Sequence, residues 1–219
     1  MPNPLVILGT RFLAEEFFDL ITEMGAADGA PYEVAAFVEN WDRSLVGKEL
    51  EGRPILWIDD AASKFARTHR AICALSTTHR KAYVEQAASL GFRFTTLIHP
   101  SARVSARATL GEGCFISALA TIATRTRLGR SVFVNRSAAI GHHTTIGDYC
   151  TLQPRANVAG GITMGDQTYI GMGANILDKL TIGRGCLIAA GATVITNLPD
   201  RVLAMGLPAK VVRENIEPK

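Results

Sequence analysis

The chain has 219 residues, 47% of them hydrophobic and 20% charged, with a formal net charge of +3 at pH 7. This composition is typical of a folded globular protein with one or two cores and argues against disorder. The small charge argues against a nucleic-acid surface, and no stretch approaches the roughly 18 consecutive apolar residues of a membrane span. We therefore expect a cytoplasmic protein that binds neither nucleic acid nor membrane.

The first 97 residues predict alternating strands and helices. Apolar runs that indicate buried strands are PLVILG, YEVAAFV, RPILW, AICAL and FRFTTLI. Helices are expected at residues 11–24, 59–68 and 78–90, the first with an apolar stripe that begins at Phe12. This alternation predicts a small parallel sheet covered on both sides, resembling half of a nucleotide-binding, Rossmann-like domain.

Ligands of such sheets bind at the carboxyl ends of the strands. Here those ends fall near residues 9–13, 39–41 and 76–79. We therefore expect residues 1–97 to form a substrate-binding domain, with Gly9, Thr10, Arg11 and Glu39 at its site.

From Ile98 onwards the pattern changes to a period of six. An aliphatic residue or methionine occupies every sixth position up to Val194, 17 times without a polar residue. A helix would need a period of 3.6 and a simple strand a period of 2. Glycine often follows the aliphatic position, which indicates a short strand followed by a corner. The positions are Ile98, Val104, Leu110, Ile116, Ile122, Leu128, Val134, Ile140, Ile146, Leu152, Val158, Met164, Ile170, Ile176, Ile182, Ile188 and Val194.

This is the hexapeptide repeat of left-handed parallel β-helix proteins, and it assigns residues 98–198 to such a helix and residues 199–219 to a C-terminal tail. Three hexads make one triangular coil of about 18 residues, and successive coils stack at roughly 4.8 Å. Cys114, Cys150 and Cys186 then recur on one face two coils apart, with sulfurs about 10 Å from one another. They are too far apart to pair, so we expect them to fill the core rather than act as catalytic thiols.

Two adjacent histidines, His142 and His143, fall at a corner of this coil. One coil after His142 stands Gly160, which has no side chain and leaves its backbone N–H approachable. A general base next to an unpaired backbone N–H is the smallest set of catalytic groups needed for acyl transfer. The spacing alone leaves an alternative open, namely a solvated corner histidine under one of many turn glycines.

The whole chain resembles a family of bacterial sugar acetyltransferases, which includes sialic-acid O-acetyltransferases and N-acetyltransferases of nucleotide-linked 4-amino sugars. The resemblance is carried by NRSAAIGHHTTIGDYC, VAGGITMGDQTYIGMGANI and GLPAK. It implies that His142 is the proton acceptor and that the Gly160 N–H faces the thioester carbonyl. The other contacts that it implies are Asn135 for the substrate and Thr151, Met172, Ala190 and Lys210 for acetyl-CoA.

Two positions depart from the family pattern. The catalytic histidine of the family is commonly followed by Glu or Asp, which raises its basicity, whereas His143 follows here and supplies no negative charge at neutral pH. Asp148 or a carboxylate of a neighbouring subunit is the alternative source of that charge. The first βα loop, LGTRFLAEE, keeps Gly9 but lacks the family's Gly-rich turn, so Arg11 is a candidate for binding a phosphate or carboxylate directly.

The expected reaction is direct transfer of an acetyl group from acetyl-CoA, with His142 as general base and no acyl-enzyme. The first choice of acceptor is the amino group of a nucleotide-linked amino sugar. The alternatives are a sugar hydroxyl and, from a different class, a non-catalytic nucleotide-sugar or acyl-CoA binding protein. A zinc enzyme on the same helix would need three converging histidines, but His69, His79 and His99 precede or only begin the repeat, so no metal is expected.

No long insertion in the repeat can fold over His142. The site must therefore be closed by another chain, and the resemblance implies a homotrimer of parallel prisms. Acetyl-CoA is then expected along the groove between two prisms, with its phosphates near Arg184, Lys210 and Arg213.

Overall fold

The amino-terminal part of the chain alternates strands and helices, as the hydrophobic pattern predicts. The computed structural model describes residues 3–28 and 32–219. The elements of this part are β1 (Asn3–Leu8), α1 (Phe12–Asp28), β2 (Tyr32–Glu39), a 3-10 turn (Arg43–Leu45), β3 (Glu49–Leu50), β4 (Arg53–Trp57), α2 (Ile58–Phe65), β5 (Arg70–Cys73), α3 (Arg80–Ser89) and β6 (Arg93–Phe94). The strands form one sheet in the order β3-β4-β2-β1-β5-β6, parallel except for the β3–β4 hairpin, which the sequence analysis did not predict.

Helix α1 covers one side of this sheet, and α2 and α3 cover the other. Phe17, Ile21 and Met24 of α1 are buried in one core cluster, and Tyr83 of α3 is buried in a second. The prediction for Phe12 is wrong, because its side chain is 89% exposed. It is the first residue of α1 and stands beyond the end of β1, where the sheet no longer covers the helix.

The rest of the chain winds into a left-handed, three-sided prism. From the tenth to the twenty-third strand, each strand lies in register with the strand 18 residues earlier, as Phe133 does with Phe115, so the period of six correctly predicts one strand per hexad. The strands are β7 (Leu97–Ile98), β8 (Arg103–Val104), β9 (Thr109–Leu110), β10 (Phe115–Ile116), β11 (Thr121–Ile122), β12 (Arg127–Leu128), β13 (Phe133–Val134), β14 (Ala139–Ile140), β15 (Thr145–Ile146), β16 (Thr151–Leu152), β17 (Asn157–Val158), β18 (Thr163–Met164), β19 (Tyr169–Ile170), β20 (Asn175–Ile176), β21 (Thr181–Ile182), β22 (Leu187–Ile188), β23 (Thr193–Val194), β24 (Leu203–Gly206) and β25 (Ala209–Arg213).

The three faces of the prism are three sheets. The first face contains β7, β10, β13, β16, β19, β22, β24 and β25, the second β8, β11, β14, β17, β20 and β23, and the third β9, β12, β15, β18 and β21. We call the corner between the second and third faces, with His142, the histidine corner. The corner between the first and second faces, with Met172, is the methionine corner, and that between the third and first faces, with Asp148, is the aspartate corner.

The repeated aliphatic side chains form the core of the prism. Those from Ile116 to Val194 are buried, whereas Ile98 in the first coil is 40% exposed because no earlier coil covers it. The cysteine prediction is confirmed, since all three cysteines of the repeat are free and buried. Burial raises the pKa of the Cys150 thiol to about 12, and a thiol with that pKa is a poor nucleophile near neutral pH.

The α/β domain is docked on the first face of the prism. Phe17 of α1 stacks on Phe115 of β10 with ring centroids 3.9 Å apart, and Phe133 of β13 adjoins them. The chain passes from one sheet to the other between β6 and β7, so FRFTTLI forms two short strands rather than one. In a three-sided prism the histidine corner is the edge opposite the first face, so it lies away from the α/β domain.

A buried arginine fixes this docking. Arg80, the first residue of α3, is 2% exposed. It donates hydrogen bonds to the backbone oxygens of Ser131 (2.9 Å) and Cys150 (2.6 Å) and to the hydroxyl of Thr151 (2.6 Å). Burial lowers its pKa to about 10, which still leaves the guanidinium charged at neutral pH. Its planar fork of donors therefore holds α3 at one height along the prism.

Replacing Arg80 with methionine should weaken the docking of the two parts. The carbonyl of Ser131 would stay buried without a donor, which costs about 1 to 3 kcal/mol, whereas the carbonyl of Cys150 keeps the hydrogen bond from the N–H of Phe133. We expect a lower midpoint of urea unfolding and faster proteolysis between β6 and β7. Arg67→Met, at an exposed site of the α/β domain, is the control, and equal stability of the two variants would contradict this role of Arg80.

The last residues extend the first face and return to the α/β domain. β24 pairs with β22, Leu203 lying opposite Leu187, and β25 adds an antiparallel strand. The backbone oxygen of Lys219 then accepts a hydrogen bond from the N–H of His79 at 3.2 Å. Among the residues that the structure describes, no helix has both the length and the apolar character needed to cross a membrane.

Candidate active site

His142 and His143 form the turn between β14 and β15. His143 has a φ of 56°, the left-handed conformation that the corner requires. The next residue, Thr144, is buried, and its hydroxyl donates to the carbonyl of Ala159 in the next coil at 3.1 Å. Both histidine side chains are exposed. The turn is thus anchored by Thr144 and the backbone, which leaves both imidazoles accessible.

Gly160 lies directly against the His142 ring. A Cβ added to Gly160 would lie 2.7 Å from Cε1, 2.9 Å from Nε2 and 3.0 Å from Nδ1 of His142. Any side chain at this position would therefore displace the imidazole. The structure shows the stacking that the repeat predicts for this pair.

The backbone N–H of Gly160 has no hydrogen-bond partner among the described residues. At the aspartate corner an equivalent donor is capped by the next coil, since the N–H of Asp148 donates to Oδ1 of Asp166 at 2.8 Å. Asp178 occupies the corresponding place above Gly160, but its carboxylate lies 3.7 Å from Nζ of Lys179. The Gly160 N–H is therefore available to an acyl oxygen.

The two imidazoles contact each other. Their Nδ1 atoms are 3.1 Å apart and their rings are inclined at 85°. At that distance one Nδ1 carries a hydrogen and the other accepts it. With His142 as the donor, its Nε2 carries a lone pair and can accept a proton. His143 then orients His142 without adding negative charge.

Asp148, the alternative source of negative charge, is not close to His142. It lies at the aspartate corner, where its Oδ2 is 2.9 Å from Nε of Arg130. Six residues of sequence carry the chain from one corner of the prism to the next, so proximity in sequence is misleading here. Within one chain, Asp148 does not polarise His142.

The predicted cofactor residues Met172 and Ala190 stack one coil apart at the methionine corner, and both are exposed. Asn135, two coils earlier at the same corner, is only 7% exposed. Its amide nitrogen donates to Oε1 of Gln153 at 3.1 Å. The methionine and histidine corners are two different edges of the second face. A single chain therefore does not bring these residues to His142.

The other predicted cofactor residues are dispersed. Thr151 is fully buried on the first face beneath Arg80, so its side chain is not accessible to acetyl-CoA. Arg184 forms an ion pair at the aspartate corner, with an N–O distance of 3.0 Å. Lys210 and Arg213 are exposed in β25 at the end of the first face. Both remain candidates for the phosphates of acetyl-CoA, and so does Arg184, whose side chain is 71% exposed.

A cavity of about 630 Å³ opens at the carboxyl edge of the α/β sheet. The topology predicts ligand binding at this edge, and the structure brings all four predicted residues together there. The cavity is lined by Gly9, Thr10, Arg11, Glu39, Asn40, Trp41, Leu75, His79, Ala82 and Tyr83.

Glu39 organises the loop around this cavity. One carboxylate oxygen accepts from the N–H of Trp41 at 2.7 Å, and the other accepts from the hydroxyl of Thr10. Glu39 is 6% exposed, so it shapes the loop and offers little free carboxylate to a ligand. The Arg11 side chain is 62% exposed and lies 3.3 Å from Asp42.

Two aromatic side chains stand exposed at the same edge. Trp41 lines the cavity, Phe12 begins the neighbouring helix, and each is 89% exposed. Large exposed aromatic groups mark surfaces that bind ligands or other chains. This edge of the sheet therefore has both a cavity and apolar surface for a partner molecule.

The remaining histidines do not join the pair at the corner. His69 packs edge-on against Phe65, His79 lines the cavity of the α/β domain, and His99 lies 3.2 Å from Glu23. In the parts of the chain that are described, no three His, Cys, Asp or Glu side chains converge on one point.

The structure also shows residues that the sequence analysis did not single out. Arg107, Arg125 and Arg127 line a second cavity, beside His143. A signal for them exists in the sequence, since Arg125 and Arg107 precede His143 by one and two coils and share its position in the hexad. This pattern appears only when corner residues 18 positions apart are compared.

A hexapeptide prism with an accessible histidine beside a free backbone donor defines an acyltransferase of the hexapeptide class. The profile of the bacterial transferase hexapeptide family (six repeats) matches residues 161–196. No curated protein sequence gives a significant match.

Several solved structures match nearly the whole chain. A histidine-to-asparagine mutant of perosamine N-acetyltransferase from Caulobacter crescentus, in complex with CoA and GDP-perosamine, is 30% identical, with a TM-score of 0.85 over 97% of this chain and 98% of that one. The acetyltransferase domain of PglB from Neisseria gonorrhoeae, in complex with acetyl coenzyme A, is 27% identical (TM-score 0.83, 97% and 100%). WeeI from Acinetobacter baumannii is 25% identical (TM-score 0.84, 95% and 99%). The chain belongs to the hexapeptide-repeat sugar acetyltransferase family.

Proposed function

We propose that this protein transfers the acetyl group of acetyl-CoA to the amino group of a nucleotide-linked amino sugar. The observation that carries the proposal is the packing of His142 against Gly160, which puts a base and a free backbone donor in one corner. The relative from Caulobacter crescentus, an N-acetyltransferase crystallised with CoA and GDP-perosamine, supports both substrate classes.

The proposed chemistry is a direct transfer. Nε2 of His142 accepts a proton as the acceptor nitrogen attacks the thioester carbonyl carbon. The carbonyl oxygen becomes an oxyanion, and the Gly160 N–H stabilises it by about 3 kcal/mol, as in other oxyanion holes. The C–S bond then breaks, and the imidazolium returns its proton to the CoA thiolate. His143 keeps His142 oriented by accepting the hydrogen bond from its Nδ1.

The positions of the candidate residues support a site shared between chains. In one chain the cavity of the α/β domain lies on the side of the first face, and His142 lies on the opposite edge. Met172 and Ala190 lie at a third place, the methionine corner. A homotrimer of parallel prisms, in which the methionine corner of one chain faces the histidine corner of the next, would join these groups in one site.

Within that site we assign the nucleoside part of the acceptor to the cavity of the α/β domain. Trp41 offers an aromatic face for a base, and the cavity of about 630 Å³ is large enough for a nucleoside. Residues 1–97 thus bind the acceptor, and residues 98–198 carry the transfer chemistry.

The test of the proposed function is turnover followed by mass spectrometry. Acetyl-CoA is incubated with the protein and a panel of nucleotide-linked amino sugars, each beside its hydroxyl counterpart. We expect acetylation of an amine. Acetylation of the hydroxyl compounds would instead show an O-acetyltransferase, and acetyl-CoA binding without turnover of any acceptor would show a non-catalytic binding protein.

A bulky substitution at the methionine corner tests the cofactor groove. Ala190→Trp would fill the space beside Met172, so we expect the affinity for acetyl-CoA to fall about tenfold or more, which corresponds to roughly 1.4 kcal/mol. Ala190→Ser, which preserves the size, should bind acetyl-CoA like wild type. Calorimetry measures both ligands, and a loss of acceptor affinity with unchanged acetyl-CoA affinity would show that the groove is wrongly placed.

A further inference from the structure

A column of two arginines that ends at His143 runs along the histidine corner on the amino-terminal side of the proposed base. Arg107, Arg125 and His143 occupy the same position in three successive coils, and Arg127 lies beside them on the third face. Coils stack at about 4.8 Å, so neighbouring members of the column stand close together. With Thr109 and Thr145 they line a cavity of about 410 Å³.

The three guanidinium groups have no carboxylate partner in the part of the chain that the structure describes. Among the described residues, none of the three guanidinium groups forms an ion pair, whereas Arg130, Arg136 and Arg184 each contact a carboxylate. Three unpaired guanidinium groups around one cavity repel each other. An anion with several oxygens would relieve that repulsion, and the planar fork of arginine matches the oxygens of a phosphate. The two threonine hydroxyls at the wall are additional donors.

The cavity lies on the amino-terminal side of the base along the prism. Gly160, which faces the thioester in the proposed reaction, belongs to the coil after His142, and Met172 and Ala190 belong to later coils still. Arg125 and Arg107 lie one and two coils before His142, in the opposite direction along the prism. With acetyl-CoA assigned to the later coils, the acceptor is the substrate left to reach this cavity.

We propose that Arg107, Arg125 and Arg127 bind the diphosphate of the nucleotide-linked acceptor. The inference rests on the proposed function and extends it, because it assigns the diphosphate to the prism rather than to the first βα loop. That loop lacks a glycine-rich cradle, and Arg11 at its mouth lies beside Asp42. In a trimer, the nucleoside sits on one chain and its diphosphate on the arginine cluster of the next. The sugar amine then reaches His142 of that second chain.

The test is ligand binding by calorimetry, which does not depend on turnover. The probes are inorganic pyrophosphate, GDP, UDP and CoA, and the variant is Arg125→Gln combined with Arg127→Gln. Arg67→Gln is the control, because Arg67 is an exposed arginine of the α/β domain and lies at neither of these two prism corners. We expect the double variant to bind pyrophosphate and the preferred nucleoside diphosphate about tenfold more weakly, with CoA unchanged. With an accepted sugar its KM should rise while kcat stays near wild type.

Three results would overturn the proposal. Unchanged pyrophosphate and nucleotide binding in the double variant would show that the cluster binds no diphosphate. A loss confined to CoA would assign the cluster to the cofactor. Loss of the oligomer in light scattering, with ligand binding per folded site unchanged, would show that the cluster is a contact between subunits. Failure of the proposed function can be distinguished from failure of this inference, because pyrophosphate binding can be measured in a protein that shows no turnover.

Discussion

Replacing His142 with alanine should lower kcat by about 10² to 10⁴, the usual contribution of a general base. The protein should keep its thermal stability, because the side chain is exposed and Thr144 anchors the turn. The assay uses saturating acetyl-CoA and an accepted acceptor, so that kcat reports the chemical step. Full activity in His142→Ala would mean that the protein does not use this base.

Variants of His143 provide the control for that experiment. His143→Ala should cost much less than His142→Ala, because His143 only orients its neighbour. His143→Asn supplies an acceptor oxygen and tolerates the left-handed φ of 56°, so it should retain more activity than His143→Ala. His143→Glu adds a negative charge that favours protonated His142, and should move the acidic limb of the kcat/KM profile to higher pH. A collapse confined to His143→Ala would identify the other histidine as the base.

Two variants with low activity should recover activity when they are assembled together. His142→Ala removes the histidine corner and Ala190→Trp blocks the methionine corner. If each site uses the histidine corner of one chain and the methionine corner of the next, an equal mixture leaves about a quarter of the sites intact, since each half is intact with a probability of about one half. Activity is measured at limiting acetyl-CoA after co-expression with two different affinity tags.

The control for complementation combines two variants at one corner. In a mixture of His142→Ala chains and Gly160→Leu chains, every chain carries a defect at its histidine corner, so the mixture should stay inactive. Equal recovery in both mixtures would point to exchange or contamination, and no recovery in either would show that each chain builds its own site. A monomer by light scattering would contradict the shared site directly.

The sequence predicts the prism well because the period of six fixes the direction of each side chain. An inward aliphatic residue every six positions determines the strand, the corner and the residue 18 places on, so the sequence alone predicts that Gly160 stacks on His142. The α/β elements were predicted for a similar reason, since their alternating apolar runs record which residues face the sheet.

The sequence could not show which face of the prism is covered. Thr151 has the same local pattern as an accessible strand residue, but the α/β domain lies over it and Arg80 binds its hydroxyl. The exposed position of Phe12 and the use of Glu39 within its own loop likewise depend on contacts between distant segments. The sequence shows the arginine cluster as residues 18 positions apart, but that no described carboxylate pairs with it is a property of the fold.

In the proposed reaction, the hydrogen bonds of Arg80 affect which acceptors fit the site. They join α3 to the prism through a rigid guanidinium, so the cavity at the sheet edge stands at a set height beside the coils. In the proposed trimer, that height also sets the span from the cavity of one chain to the base of the next. An acceptor whose nucleoside and amine are separated by this span is held at both ends, and a shorter one is held at one end alone. The proposed trimer would then select its acceptor by the distance between nucleoside and amine as well as by their chemical groups.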